Sequence, residues 1–335
     1  MDVETLQEWT AQLLLASGVG ESAARDAAEV FALATLRGLG HHDVSYLPQR
    51  LDWLATGQVK AKPHLSRVYQ APASEVWDGD GGLGEALCHH VTIRAMTLAR
   101  TQGVGYASVR RSNHFLAAAP YTEIGSREGF LLVVWSNTDA GMGLPNGHTR
   151  QIGNNPLGFG IGTGMDGLSA DLSLAYSSLG NLHALAATGQ SVPSHWGRNA
   201  DDQVAATAQE LLEGAVGPIG GHKGLSLALL GEVLTGVLSG GTTLDEIATG
   251  GGLNTHNQMA LAFDLDAFGG RGPVLERVAS LRSRASAVAH GGRLPGERSH
   301  RAAAQALEHG LVLAPGVVAA LTDWSARLGV AIPSH

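Results

Sequence analysis

A single cysteine, Cys88, stands in 335 residues. No disulfide can form within the chain, and no secreted cysteine framework is implied. Charge is also scarce. Charged side chains make up 16%, and 30 acidic residues against 22 Lys and Arg give a formal net charge of -8. A nucleic-acid binder needs a basic face, so this balance argues against one. No apolar run approaches the ~20 residues that span a bilayer. The N-terminal MDVETLQEW is acidic and amphipathic, unlike a signal peptide. A soluble, cytoplasmic protein without a membrane or nucleic-acid partner is expected. The phosphate-loop pattern GxxxxGK[ST], the GxGxxG fingerprint on a βαβ unit and the GxSxG elbow are missing too. His89 and His90 are adjacent on an expected helix and point to different faces, so no metal site is expected there. In abundance are glycine, 46 residues, and hydrophobic side chains, 44%. That is a globular, enzyme-like profile with length for two or three domains.

Taken in order, Leu6, Trp9, Leu13 and Leu14 recur at helical spacing over 5–16. A second helix runs from Glu21 to Gly38, and a third covers 44–56, ended by Gly57. Further helices are expected over 84–102, 174–187, 225–238, 273–290, 299–309 and 315–328. Strands are expected near 105–109, 130–135 and 259–265, and a glycine/threonine loop over 239–256. The stretch 111–160 concentrates most of the suggestive chemistry. Ser112-Asn113-His114-Phe115 opens a helix of about ten residues, ending near Gly129, that Ser112 or Asn113 can cap. The apolar strand FLLVVW then leads into the polar loop Ser136-Asn137-Thr138-Asp139, where binding groups tend to sit.

Three candidates stand out. His41-His42-Asp43 follows a glycine-led turn between helices. It suits acid–base chemistry near neutral pH, or is a surface loop whose Asp43 caps a helix. His114 is either a second active-site histidine or a structural one. The loop 217–224, GPIGGHKG, opens an apolar helix. Its backbone can receive phosphate with Lys223 adding charge, or it meets a need for close packing.

Together LRG (36–38) before a histidine loop, SNHF (112–115), SNT (136–138), GNNPLGF (153–159), a strand ending at Asp171 and GPIGGHKG (217–224) resemble the malate/L-lactate dehydrogenase family of the sulfolactate dehydrogenase-like fold. Relatives there include ureidoglycolate dehydrogenase, diketogulonate reductase and piperideine-carboxylate reductase. The likeness covers nearly the whole chain, including the late MALAFDLDAFG and LPGER segments. It implies a non-Rossmann α/β fold, with a mixed, mainly antiparallel sheet in a cofactor domain beside a helical domain. The expected division is 1–65 with 270–335 as the helical domain, 66–110 as a small connecting α/β segment and 111–269 as the nicotinamide domain. It also implies a homodimer with its active site near the interface, and NADH or NADPH as cofactor.

Carried onto this sequence, the resemblance makes His42 the proton donor or acceptor, beside His41 and Asp43, and places His114 near substrate. It assigns the cofactor to Ser136, Asn137, Asp171, Leu172, Ser173, His222, Lys223, Pro295, Gly296 and Glu297. The chain departs from the family where His41 replaces a serine, Asp43 a glycine, and Tyr46 the arginine that clamps a substrate carboxylate. Tyr46 gives one neutral hydrogen bond, and Arg50, at i+4 on the same face, is the candidate to supply the lost charge. Residues 171–175 and 179–181 read DLSLA and LGN where the family has DMATS and RGK. The expected function is NAD(P)H-dependent reduction of a C=O or C=N group in an atypical small molecule, or the reverse oxidation. The alternatives are a non-redox lyase, isomerase or cyclase on the same scaffold, and a catalytically silent binding subunit.

Overall fold

A computed structural model of the chain describes residues 1–247, 255–289 and 292–333, and of His41 only the backbone. Part of the expected loop 239–256 therefore lies outside the described residues, as do His290 and Gly291.

The chain opens with α1 (Val3–Ala16) and α2 (Glu21–Leu36), followed by two 3-10 turns, Gly40–His42 and Val44–Tyr46, and α3 (Leu47–Thr56). Asp2 caps α1 by accepting from the Thr5 amide at 2.6 Å. α2 buries Ala24, Ala27, Ala28 and Ala34, small residues that let its neighbours approach closely, together with Phe31. Next come β1 (Ser66–Ala71), β2 (Ser74–Asp78), α4 (Gly84–Gln102), β3 (Val104–Ser112), α5 (Ala119–Arg127), β4 (Phe130–Ser136), β5 (Met142–Gly143) and β6 (Arg150–Ile152). β7 (Leu157–Ile161), β8 (Leu168–Leu172), α6 (Leu179–Ala187), β9 (Gly197–Arg198), α7 (Ala208–Glu213), β10 (Ala215–Val216) and α8 (His222–Glu232) follow. The chain closes with β11 (His256–Asp264), α9 (Arg271–Val288), α10 (Glu297–His309) and α11 (Pro315–Leu328).

The main sheet has the order β1-β2-β3-β11-β4-β7-β8. Only β2 and β3 pair in parallel; the other neighbours are antiparallel. The fold is thus mixed α/β with a mainly antiparallel sheet. Residues 66–110 supply β1 to β3 and α4, in one sheet with strands from 111–269. α4 lies across β3 and β11. At their closest point a Cβ on Gly105 would strike the Ala95 carbonyl oxygen. A second, four-stranded sheet, β6-β5-β10-β9, stands beside α6 and α7 over its own core of Met142, Leu182, Leu211 and Val216.

Several boundaries differ from the sequence expectation. Ser112 ends β3, and Asn113 donates to the carbonyls of Gly81 and Gly82. α5 therefore starts later, at Ala119, and its free amide is met by Asp171 Oδ2 at 2.9 Å. The helix expected from 174 begins at Leu179, capped by Ser178. Before it, the Leu174 and Tyr176 amides donate to Asn154 and Gly217 carbonyls, which keeps this piece out of the helix. α8 begins at His222, earlier than expected, and passes into a π-helical turn over Val233–Val237.

Buried Glu75 on β2 accepts from Arg94 Nη2 and Nε at 2.8 and 2.9 Å, from Arg67 at 3.0 Å and from the Trp77 indole at 3.0 Å. The Arg94 hydrogen bonds, acting against burial, hold its carboxyl down at about 2 from 4.5. A carboxylate depressed on folding stabilises the protein fully above its unfolded value, and that contribution is lost as pH falls through the folded one. Glu75→Gln should therefore cost roughly 3 kcal/mol at neutral pH. In denaturant titrations the difference from wild type should shrink as pH drops from 4.5 towards about 2.

Candidate active site

Gly38 and Gly40, both at positive φ (62° and 65°), turn the chain out of α2 into the first 3-10 turn. Asp43 then caps the second turn by accepting from the Ser45 amide at 2.8 Å, and Thr35 Oγ1 receives the Val44 amide at 3.1 Å. This pair of turns sets His42 and Tyr46 on one wall. Opposite stands His114, in a loop pressed against the start of α4. The His42 and His114 rings lie 5.5 Å apart, His42 and Tyr46 6.1 Å, and Tyr46 stacks on His114 at 5.9 Å and 7°.

These three rings close one end of a cavity of about 400 Å³. Leu39, Leu116, Pro156 and Leu179 give it apolar walls. Its polar side is a linked series: Thr138 Oγ1 donates to Asn154 Oδ1 at 2.9 Å, and Asn154 Nδ2 to Ser173 Oγ at 3.2 Å. Asp139 also lines it, and a hydrogen bond from His256 holds that carboxyl below the usual aspartate range against the opposing effect of burial. Arg298, in the first turn of α10, reaches the cavity from the other side. That turn is tied down by Arg37 of the LRG motif, which is buried, pairs with Glu123 at 2.6 Å and donates to Ser169 and Ser299. Apolar walls facing a row of hydroxyl and amide groups are compatible in chemistry with a nicotinamide ring and its carboxamide.

The structure thus brings His42, Tyr46, His114, Asp171 and Ser173 to one cavity. Asp171 contributes a wall while its carboxylate caps α5. Other expected residues stand elsewhere. Arg50, the candidate for the lost substrate cation, is fully buried behind the wall and pairs with Glu85 at 2.8 Å, because its stem runs into the core beside α4. Asp43 lines a separate groove. Its carboxylate accepts from the Ser45 amide in its own helical turn.

Ser136 and Asn137 are buried beneath the floor. Asn137 joins Asn155 in donating to Glu232, and its oxygen accepts from Asn257. Leu172 is exposed, and His222 and Lys223 lie exposed at the start of α8, outside the cavity lining. Pro295, Gly296 and Glu297 form the entry to α10. Gly296 sits against Ser169, where a Cβ would clash, and Glu297 pairs with Arg282 at 2.9 Å. The His41 side chain is outside the described residues. Sequence reasoning missed Arg298 and His256. Arg298 carried no signal beyond its place after LPGE, and His256 opens β11, whose pairing the pattern does not reveal.

The family model for malate/L-lactate dehydrogenase matches residues 1–322. Delta(1)-pyrroline-2-carboxylate reductase from Pseudomonas fluorescens is 29% identical over 316 residues, covering 92% of this chain and 93% of its own. Malate dehydrogenase from Pyrococcus abyssi is 27% identical over 247 residues, 71% of this chain and 68% of its own. Among solved structures, sulfolactate dehydrogenase from Methanocaldococcus jannaschii superposes with a TM-score of 0.88 at 24% identity, covering 98% of this chain and 97% of that one. The fold is therefore sulfolactate dehydrogenase-like, and the family is one of oxidoreductases. The chain belongs to the malate/L-lactate dehydrogenase family.

Proposed function

We propose that the chain is an NAD(P)H-dependent reductase of a C=O or C=N bond in a small molecule, working in either direction, with His42 as the proton donor or acceptor. The observation that carries this reading is the cavity itself, with His42, Tyr46 and His114 grouped at one end and the Thr138–Asn154–Ser173 series along its side. A nicotinamide, when bound, supplies the hydride. His42 gives its proton to the oxygen or nitrogen as the adjoining carbon gains its hydrogen, and takes that proton back in the reverse reaction. Tyr46 and His114 orient the polar atom of the substrate, and the apolar walls exclude water. Purified protein should bind NADH or NADPH and, across a panel of 2-oxo acids and cyclic imines, give a product two hydrogens heavier. Binding of neither cofactor, or a product of unchanged mass, would overturn the reading.

With Tyr46 in place of the family arginine, Arg298 is the cavity's cation for an anionic group of the substrate. Arg298→Ala should raise KM for an acid substrate about tenfold or more, the scale of one charge-assisted hydrogen bond, while an uncharged analogue keeps its KM. Leu227, Leu230, Val237 and Leu238 on α8 and its π-helical extension are between 41% and 59% exposed. So continuous an apolar strip fits a second copy of the chain. Leu230→Glu should convert a dimer to a monomer in sedimentation velocity; an unchanged sedimentation coefficient would count against this face.

A further inference from the structure

We propose that Arg50 is a positioning residue that locks His114 in its neutral form with the proton on Nε2. His114 then serves the cavity as a fixed hydrogen-bond donor and leaves proton transfer to His42. The consequence for catalysis rests on the reductase reading above, but the tautomer stands on geometry alone.

Arg50 Nη2 lies 2.9 Å from His114 Nδ1. A guanidinium has donors only, so Nδ1 is the acceptor. The Leu116 amide donates to the same nitrogen at 3.1 Å. Two donors on Nδ1 leave the ring proton to Nε2. A proton added at Nδ1 would face a backbone N–H and a guanidinium.

The surroundings are built to hold this arrangement. Leu116 is buried and sits at φ +70°, in the left-handed region that such side chains seldom adopt. That conformation turns its amide towards the imidazole. Arg50 has no freedom to leave. It is fully buried, bonded through Nε to buried Glu85 at 2.8 Å, and lies over the rings of Trp53 and Tyr46 at 4.7 and 5.2 Å. Glu85 balances its charge. Among the described groups, His42 on the first 3-10 turn, Tyr46 stacked on it, and His256 of β11 at 6.3 Å with Asp139 beyond it at 3.5 Å also face His114. Protonation of His42 or His256 would further oppose charge on His114.

Nitrogen-15 NMR of histidine-labelled protein tests this, with the His114 signals assigned by loss in His114→Gln. In the wild type His114 should show the Nε2–H pattern and not titrate between roughly pH 5 and 8, the span in which an ordinary histidine changes charge. In Arg50→Met/Glu85→Gln, which removes both buried charges together, His114 should titrate within that span. The kcat–pH profile should then gain a second ionisation that the wild type lacks. A wild-type His114 that titrates normally or carries its proton on Nδ1 overturns the proposal, as does a folded double variant whose His114 is unchanged. The wild-type spectrum decides even if the double variant does not fold. Because it needs no turnover, failure of the reductase reading remains separately visible in the cofactor and mass measurements.

Discussion

His42→Gln is expected to lower kcat by about a hundred- to ten-thousand-fold, the usual contribution of a positioned proton donor, while NADH or NADPH still binds. The reason is location. His42 ends a short 3-10 turn anchored by the Asp43 cap and the Thr35–Val44 hydrogen bond, so its ring is delivered to the cavity end without belonging to the core. Glutamine fills comparable space and keeps polar hydrogen bonding, but it cannot pass a proton near neutral pH. The test is a pre-steady-state comparison of the two proteins at equal cofactor saturation. A loss confined to KM, with kcat kept, would mean that His42 holds the substrate and the proton comes from elsewhere.

Gly84→Ala is the second change of large expected effect, although residue 84 carries no chemistry. A Cβ there would strike the carbonyl oxygens of Asn113 and His114, and both belong to backbone that cannot swing aside. The loop is pinned from other directions as well, by Asn113 to Gly81 and Gly82 and by Gln258 Nε2 to the Asn113 carbonyl at 2.9 Å. Insertion of one methyl should cost about 1–3 kcal/mol, the usual penalty of overpacking. It should also displace His114 from Tyr46 and Arg50, lowering kcat/KM by about a hundredfold, in line with the effect of a 1 Å misplacement. Thermal unfolding and steady-state kinetics on the same preparation measure both. Full activity in a destabilised protein would show that the His114 loop can move without consequence.

Elements with one-sided apolar periodicity were legible in the sequence. α4 spans Gly84–Gln102 and α11 Pro315–Leu328, both as the pattern predicts, and the apolar run at 130–135 forms the interior strand β4. What the pattern does not contain is the identity of distant partners. α5 receives its cap from Asp171, fifty-two residues away, and not from the adjacent Ser112 or Asn113. The i+4 spacing correctly places Arg50 near Tyr46, since its guanidinium lies over that ring. Its commitment to Glu85 depends on how α3 meets α4, and local spacing is silent on that. Ser136 and Asn137 follow the same logic: a polar exit from a strand reads as a binding loop, yet Glu232 and Asn257 draw it into the interior. Arg298 reaches the cavity because Arg37, Ser169 and Ser299 hold α10 against β8, a contact that no run of residues announces.

Single turnover with a nicotinamide cofactor deuterated at its transferable position tests the central reading most directly. Reduction of an accepted carbonyl or imine should place deuterium on the former C=O or C=N carbon of the product, with the second new hydrogen drawn from solvent and its transfer slowed in His42→Gln. A converted product without deuterium on that carbon would contradict hydride transfer at this site.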